Sequence, residues 1–128
     1  MSISFEELSK AIQSLQTALE LYDQSSSDPE IKKAFRDACI QRFEYCIELA
    51  WKTSMKTLGS TTMAAKPAIR EMARNNLINE PELWLSFIEA RNNTSHSYDE
   101  DIAINVFEHI QRFQPEVKLL LERLKKAS

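Results

Sequence analysis

A chain of 128 residues with a single glycine, Gly59, and four prolines has few places to turn sharply. Glycine supplies strained turns cheaply, and a sheet protein of this size needs many of them. Their scarcity points to long helices joined by few connections, an all-α chain. The length suits one domain over 1–128 with one core. Hydrophobic residues at 43% and charged residues at 27% are enough to fill and solvate it.

Periodicity divides the chain into helices. Ser4 and Glu7 have capping-box spacing, and Leu8, Ile12, Leu15, Leu19 and Tyr22 follow as an amphipathic stripe. Asp23-Gln24-Ser25-Ser26-Ser27 is a polar break, and Asp28-Pro29-Glu30 reads as an N-cap with proline in the first turn. The second helix extends to about Leu58, with Gly59 as its C-cap. Its apolar side includes Ile31, Phe35, Ala38, Cys39, Phe43, Cys46, Ile47, Ala50, Trp51, Ser54, Met55 and Leu58. A short helix is expected from about Pro67 to Asn75, with Ile69, Met72 and Ala73 inward. Another starts near Pro81 and carries Leu83, Trp84, Phe87, Ile88 and Arg91. Asn92, Asn93, Thr94 and Ser95 are weak helix formers and should end it. Asp99-Glu100-Asp101 opens a last long helix, with Ile102, Val106, Ile110, Phe113, Val117, Leu120, Leu121 and Leu124 buried and a kink or break at Pro115. The sum is an antiparallel bundle of four or five helices.

Charge and cysteine usage narrow the function. A formal charge of −3 and a pI of about 5.4 exclude recruitment to RNA by a global basic field, so a nucleic-acid role must rest on a local patch. No stretch has the apolar length of a membrane span. Met1-Ser2-Ile3-Ser4-Phe5-Glu6-Glu7 lacks the parts of a secretion signal, so the cytoplasm is the expected compartment. Cys39 and Cys46, on one helix, lie about 10 Å apart along its axis, too far for a disulfide. Without histidine neighbours they make a poor metal site and read as small core residues. No cofactor is implied.

One segment concentrates chemistry: Arg91-Asn92-Asn93-Thr94-Ser95-His96-Ser97-Tyr98, at a junction between two helices. Arginine offers a permanently charged planar fork that fits a phosphate, and histidine exchanges protons near neutrality. Together they suit phosphoryl transfer, with Asn92 orienting the imidazole or binding phosphate. In an unbroken helix Arg91 and His96 are rotated by about 140°. Three arrangements bring them together: the helix ends or bends between them, the arginine reaches round, or the two come from different protomers. A structural reading of the same residues stands beside this one. Arg91 then pairs with an acid such as Glu89 or Glu100, His96 caps a helix end and Tyr98 is a half-buried packing residue. Trp51, Lys52 and Tyr45 read as helix packing, and His109 as a surface residue. Lys118, Arg123, Lys125 and Lys126 suit the negative end of the last helix, with an RNA-binding rim as the alternative.

Arg91-Asn92-x-x-x-His96-x-Tyr98 resembles the R-x-x-x-x-H-x-Y signature of the HEPN superfamily. From Leu8 to Leu124 the chain is similar to the nucleotidyltransferase substrate-binding proteins, a group that includes the HepT-like toxins. The runs Arg42–Lys52, Ile69–Ala73, Leu77-Ile78 and Leu83–Leu85 carry that similarity. The resemblance implies an all-α bundle that forms a homodimer or higher homo-oligomer, with two motifs meeting in one cleft. It implies a minimal nucleotidyltransferase partner of the toxin–antitoxin kind and an RNA substrate cleaved without metal. By the same resemblance Arg91 and His96 are the catalytic pair, Asn92 a helper, and Tyr98 the residue that accepts AMP when the partner silences the ribonuclease. The acidic charge is the departure from a general ribonuclease. Two other functions stay open: a non-catalytic substrate-binding or regulatory subunit of a nucleotidyltransferase, and an oligomerisation module with no site.

Overall fold

In the computed structural model of the chain, residues 4–25 and 27–128 are described; Met1, Ser2, Ile3 and Ser26 lie outside them. The described residues form five α-helices and no strand: α1 (Glu6–Gln24), α2 (Pro29–Leu58), α3 (Ala65–Arg74), α4 (Pro81–Asn93) and α5 (Glu100–Ala127). They pack as an antiparallel bundle. α2 and α5, of 30 and 28 residues, are its long members. α1 lies against both, α3 packs on α2 and α4, and α4 is received by α5 and α2.

Local signals set most boundaries. The Asp28 carboxylate accepts from the Glu30 amide with Pro29 at the first helical position. Gly59 ends α2 at φ 66°, a left-handed conformation in which a side chain is strained. Asp99 caps α5 by accepting from the Asp101 and Ile102 amides. Two expectations shift. The capping box does not form: Ser4 Oγ accepts from the Glu6 amide instead, and α1 starts at Glu6 with Phe5 at the N-cap. α3 begins at Ala65, before Pro67, because proline suits a first turn.

At Pro115 the expected break does not form. α5 passes through it without a break. Gln111, whose carbonyl loses its amide donor there, and Pro115 itself are both exposed, so water can serve the carbonyl. The burial stripes hold with small exceptions. Leu8, Ile12 and Leu15 are buried, joined by Ala11 and Ala18, while Leu19 and Tyr22 are half-buried. In α2, Ile40 joins the core, whereas Ile31 is exposed near the free end of the helix. Cys39 and Cys46 are buried and free. Burial pushes their thiols up to about 11 and about 12, so neither supplies a thiolate at neutral pH.

The centre of the bundle is aromatic. Phe113 of α5 meets Phe43 of α2 edge to face at 5.1 Å, and Trp84 and Phe87 of α4 at 5.6 and 5.4 Å. A second fastening joins the start of α5 to α2. Arg36 donates to both oxygens of Glu100, each at 2.9 Å. Those two bonds hold the Glu100 carboxyl below the usual carboxylate range, and Thr62 and Ser60 do the same for Glu71 of α3.

Both fastenings are open to measurement. Phe113 is fully buried against three rings, and Phe113→Ala should cost about 3–5 kcal/mol in chemical denaturation; a loss under about 1 kcal/mol would contradict the packing. The lowered carboxyl of Glu100 contributes stability that is complete above the ordinary carboxylate range. It is lost as pH falls through that range and below the folded-state value. Denaturation midpoints recorded from neutral to acid pH should therefore fall, and fall less steeply in Glu100→Gln.

Candidate functional site

The chemistry-rich segment spans the end of α4, a single 3-10 turn at Thr94–His96 and the cap of α5. The helix stops between Arg91 and His96, the first of the three arrangements that spacing allows. Its stop is made by hydroxyls. Thr94 Oγ1 donates to the Arg91 carbonyl at 2.8 Å, and Ser95 Oγ to the Asn92 carbonyl at 3.4 Å. The Ser97 amide then closes on the Thr94 carbonyl, and the Asp99 amide on the His96 carbonyl. Thr94 is buried, and its oxygen also lies 3.5 Å from Arg91 Nη1. It is a site residue that its helix propensity alone did not single out.

Arg91 pairs with neither Glu89 nor Glu100. Lys66 takes Glu89 and Arg36 takes Glu100. Arg91 instead lies across α2, with Nη1 3.6 Å from Glu44 Oε2 and Nε 3.7 Å from Glu48 Oε1. Both separations exceed hydrogen-bond reach, and Nε is enclosed without a hydrogen-bond partner. A third of the side chain stays exposed. Glu48 is shared with Lys52, whose Nζ is 3.6 Å away and also covers the Trp51 ring at 5.6 Å. Trp51 is buried, and exposed Tyr45 reaches Glu7 at 3.5 Å, so these residues serve packing and the helix surface.

His96 faces Tyr98. Their ring centroids are 6.1 Å apart at 72°, edge to face. His96 is exposed, and Tyr98 is 85% exposed, not the half-buried packing residue of the structural reading. Asn92 is exposed. No hydrogen bond or ion pair joins Arg91 to His96 within the chain among the described residues. Arg91 is turned to α2 and His96 to Tyr98. Of the C-terminal cations, Arg123 is tied to the Leu77 carbonyl at 3.2 Å, while Lys118, Lys125 and Lys126 are exposed. On α2, Lys52 and Lys56 line a groove with Trp51 and the loop hydroxyls Ser60, Thr61 and Thr62. Among the described residues no cluster of three or more His, Cys, Asp or Glu is placed to hold a metal ion. No helix of the described residues is long and apolar enough to cross a membrane.

Within one chain the segment offers a cation turned to α2 and, separately, an imidazole beside an accessible phenol hydroxyl. Known proteins share the sequence and fold. The chain is 29% identical over 121 residues to the probable ribonuclease HepT of Haemophilus influenzae, covering 86% of this chain and 83% of that one. A crystal structure from Thermus thermophilus superposes with a TM-score of 0.75 at 31% identity, covering 89% of this chain and 98% of that one. A Haemophilus influenzae structure, described as revealing the fold of a substrate-binding domain of a nucleotidyltransferase, gives a TM-score of 0.77 at 26% identity, covering 95% and 99%. The model of the family described as nucleotidyltransferase substrate binding protein like matches residues 3–126, and with it the chain belongs to that family and to its HEPN, HepT-like group.

Proposed function

We propose that the chain is the HEPN component of a HEPN–nucleotidyltransferase pair, a single-domain cytoplasmic ribonuclease whose site is completed in a homodimer. Arg91 binds the scissile phosphate and steadies its developing charge. His96 takes the proton of the 2′-hydroxyl as that oxygen attacks phosphorus, or returns one to the departing 5′-oxygen. The products are a 2′,3′-cyclic phosphate and a 5′-hydroxyl. With Arg91 and His96 of one chain facing different neighbours, a second copy is the economical source of the missing half.

The partner, a minimal nucleotidyltransferase, silences the site by transferring AMP to Tyr98. The phenol oxygen attacks the α-phosphorus of ATP, pyrophosphate leaves, and the phenol proton passes to solvent. The observation that carries this reading is the exposed Tyr98 ring standing edge-on to His96. A tyrosine so open to solvent can enter another protein's active site. Once adenylated, it places a bulky anion beside the imidazole.

A second reading, a non-catalytic substrate-presenting subunit, is favoured by one observation: Arg91 is already flanked by two carboxylates. The two readings separate in the test tube. Purified protein should cleave RNA, and His96→Ala should slow cleavage by roughly a hundred- to ten-thousandfold. Equal cleavage by that variant would sink the ribonuclease assignment. Incubation with the nucleotidyltransferase and Mg-ATP should add AMP units to the intact mass. Units that persist in Tyr98→Phe would show that another residue is the acceptor.

A further inference from the structure

Two arginines in this fold meet carboxylates in different ways. Arg36 makes two short bonds to one carboxylate, each 2.9 Å, with its side chain 11% exposed. Both terminal nitrogens of Arg36 are thereby committed to one acid, although its Nε, like that of Arg91, has no hydrogen-bond partner. Arg91 has two carboxylates within ion-pair range and bonds to neither, at 3.6 and 3.7 Å. Its only side-chain hydrogen bond among the described residues is the 3.5 Å approach to Thr94, and its Nε is enclosed with no partner. Arg91 is thus held in place by attraction while its donors stay largely unused. Glu44 and Glu48 stand four residues apart on α2 and so share a face, each with 35% of its side chain exposed. Glu48 is further tethered by Lys52.

We infer that Glu44 and Glu48 form an acidic cage around Arg91 that aims the guanidinium and sets how strongly an anion can bind it. The inference rests on the reading that Arg91 handles an RNA phosphate. A phosphodiester arriving at Arg91 competes with two carboxylates already beside it, so each glutamate weakens binding. Once the phosphate is bound, the same carboxylates and Thr94 restrict where the guanidinium points, which favours the transition state over loose association. Glu44 and Glu48 are positioning residues: they act through Arg91 and need not touch the substrate. The cage also lets an acidic chain carry an arginine site without attracting anions indiscriminately.

The test is a binding cycle. The probe is a mixed-sequence single-stranded 2′-deoxy oligonucleotide, which lacks the attacking hydroxyl and is not cut. Fluorescence anisotropy is read at about 0.15 M salt, where charges more than about 8 Å away are screened. Glu44→Gln and Glu48→Gln should each tighten binding about two- to fivefold, the range of a partly exposed ion pair. In an Arg91→Gln background neither substitution should change affinity. An equal gain in both backgrounds would reduce the effect to bulk charge and overturn the cage, as would no gain, or no binding by any of the proteins. Circular dichroism melting confirms that each variant is folded.

With cleavable RNA of the same sequence, the Gln variants should show KM falling and kcat falling roughly ten- to a hundredfold, a split that mere destabilisation does not produce. Glu48→Asp should keep wild-type affinity, because the charge remains, yet lose kcat, because the aim is lost. A kcat that is unchanged or higher removes the aiming role. Should the wild-type protein bind but never cleave while the binding cycle holds, the ribonuclease reading fails and the cage stands.

Discussion

Edge-to-face packing of Phe43, Trp84, Phe87 and Phe113 ties α2, α4 and α5 together at the middle of the bundle. Each such contact adds about 0.5–1.5 kcal/mol to what burial alone supplies. Its larger effect is directional, because a ring edge fits a ring face from few approaches. Arg91 follows Phe87 by four residues and so emerges one turn further along the same side of α4. Glu44 follows Phe43, and Glu48 follows the buried Ile47, at the rim of the core on α2. Once the rings are seated, the guanidinium has a short route to those two carboxylates. The site's electrostatics are a consequence of apolar packing.

The parts of the fold that could be read from the sequence are those set by neighbours within a turn or two. The Asp28 and Asp99 caps, the left-handed Gly59 and the buried stripes of α1 and α5 are of that kind. Pro115 does not break α5 because its cost depends on what surrounds the freed carbonyl, and the solvent-facing side of the helix tolerates it. Ile31 was misleading because helical period marks a face without saying where the neighbouring helices end. For the site, the chain order located the motif and the stop of α4, but not the partners of Arg91. From sequence the available acids were the near ones, Glu89 and Glu100. Both are taken by cations from other elements, Lys66 and Arg36, and Arg91 is met by acids more than forty positions away. Pairings of that range are tertiary facts, and one chain without relatives aligned to it does not contain them in legible form.

A net charge of −3 argues against long-range attraction to RNA. The distribution of ion pairs changes the weight of that objection. Arg36 is committed to Glu100, Lys10 to Glu6 and Lys66 to Glu89, so these cations, like their acids, are locally compensated. Salt screens uncompensated charges beyond about 8 Å, so a phosphate at Arg91 responds chiefly to Glu44, Glu48 and Lys52. Net charge governs long-range steering, while those four side chains govern the contact itself.

The turn that carries the motif is anchored on both sides of an exposed tyrosine. Leaving Tyr98 in water forgoes the hydrophobic stabilisation that a buried ring provides. The chain offsets this with anchors on either side. Before it, buried Thr94 closes α4 through the Arg91 carbonyl. After it, Asp99 caps α5 and Glu100 is bolted to Arg36. Without such anchors a segment rich in Asn, Ser and Thr would sample many conformations, and His96 and Tyr98 would meet only occasionally. With them, the edge-to-face contact of the two rings is a property of the fold. A single modification of the phenol would then be felt at the imidazole without any movement of the bundle.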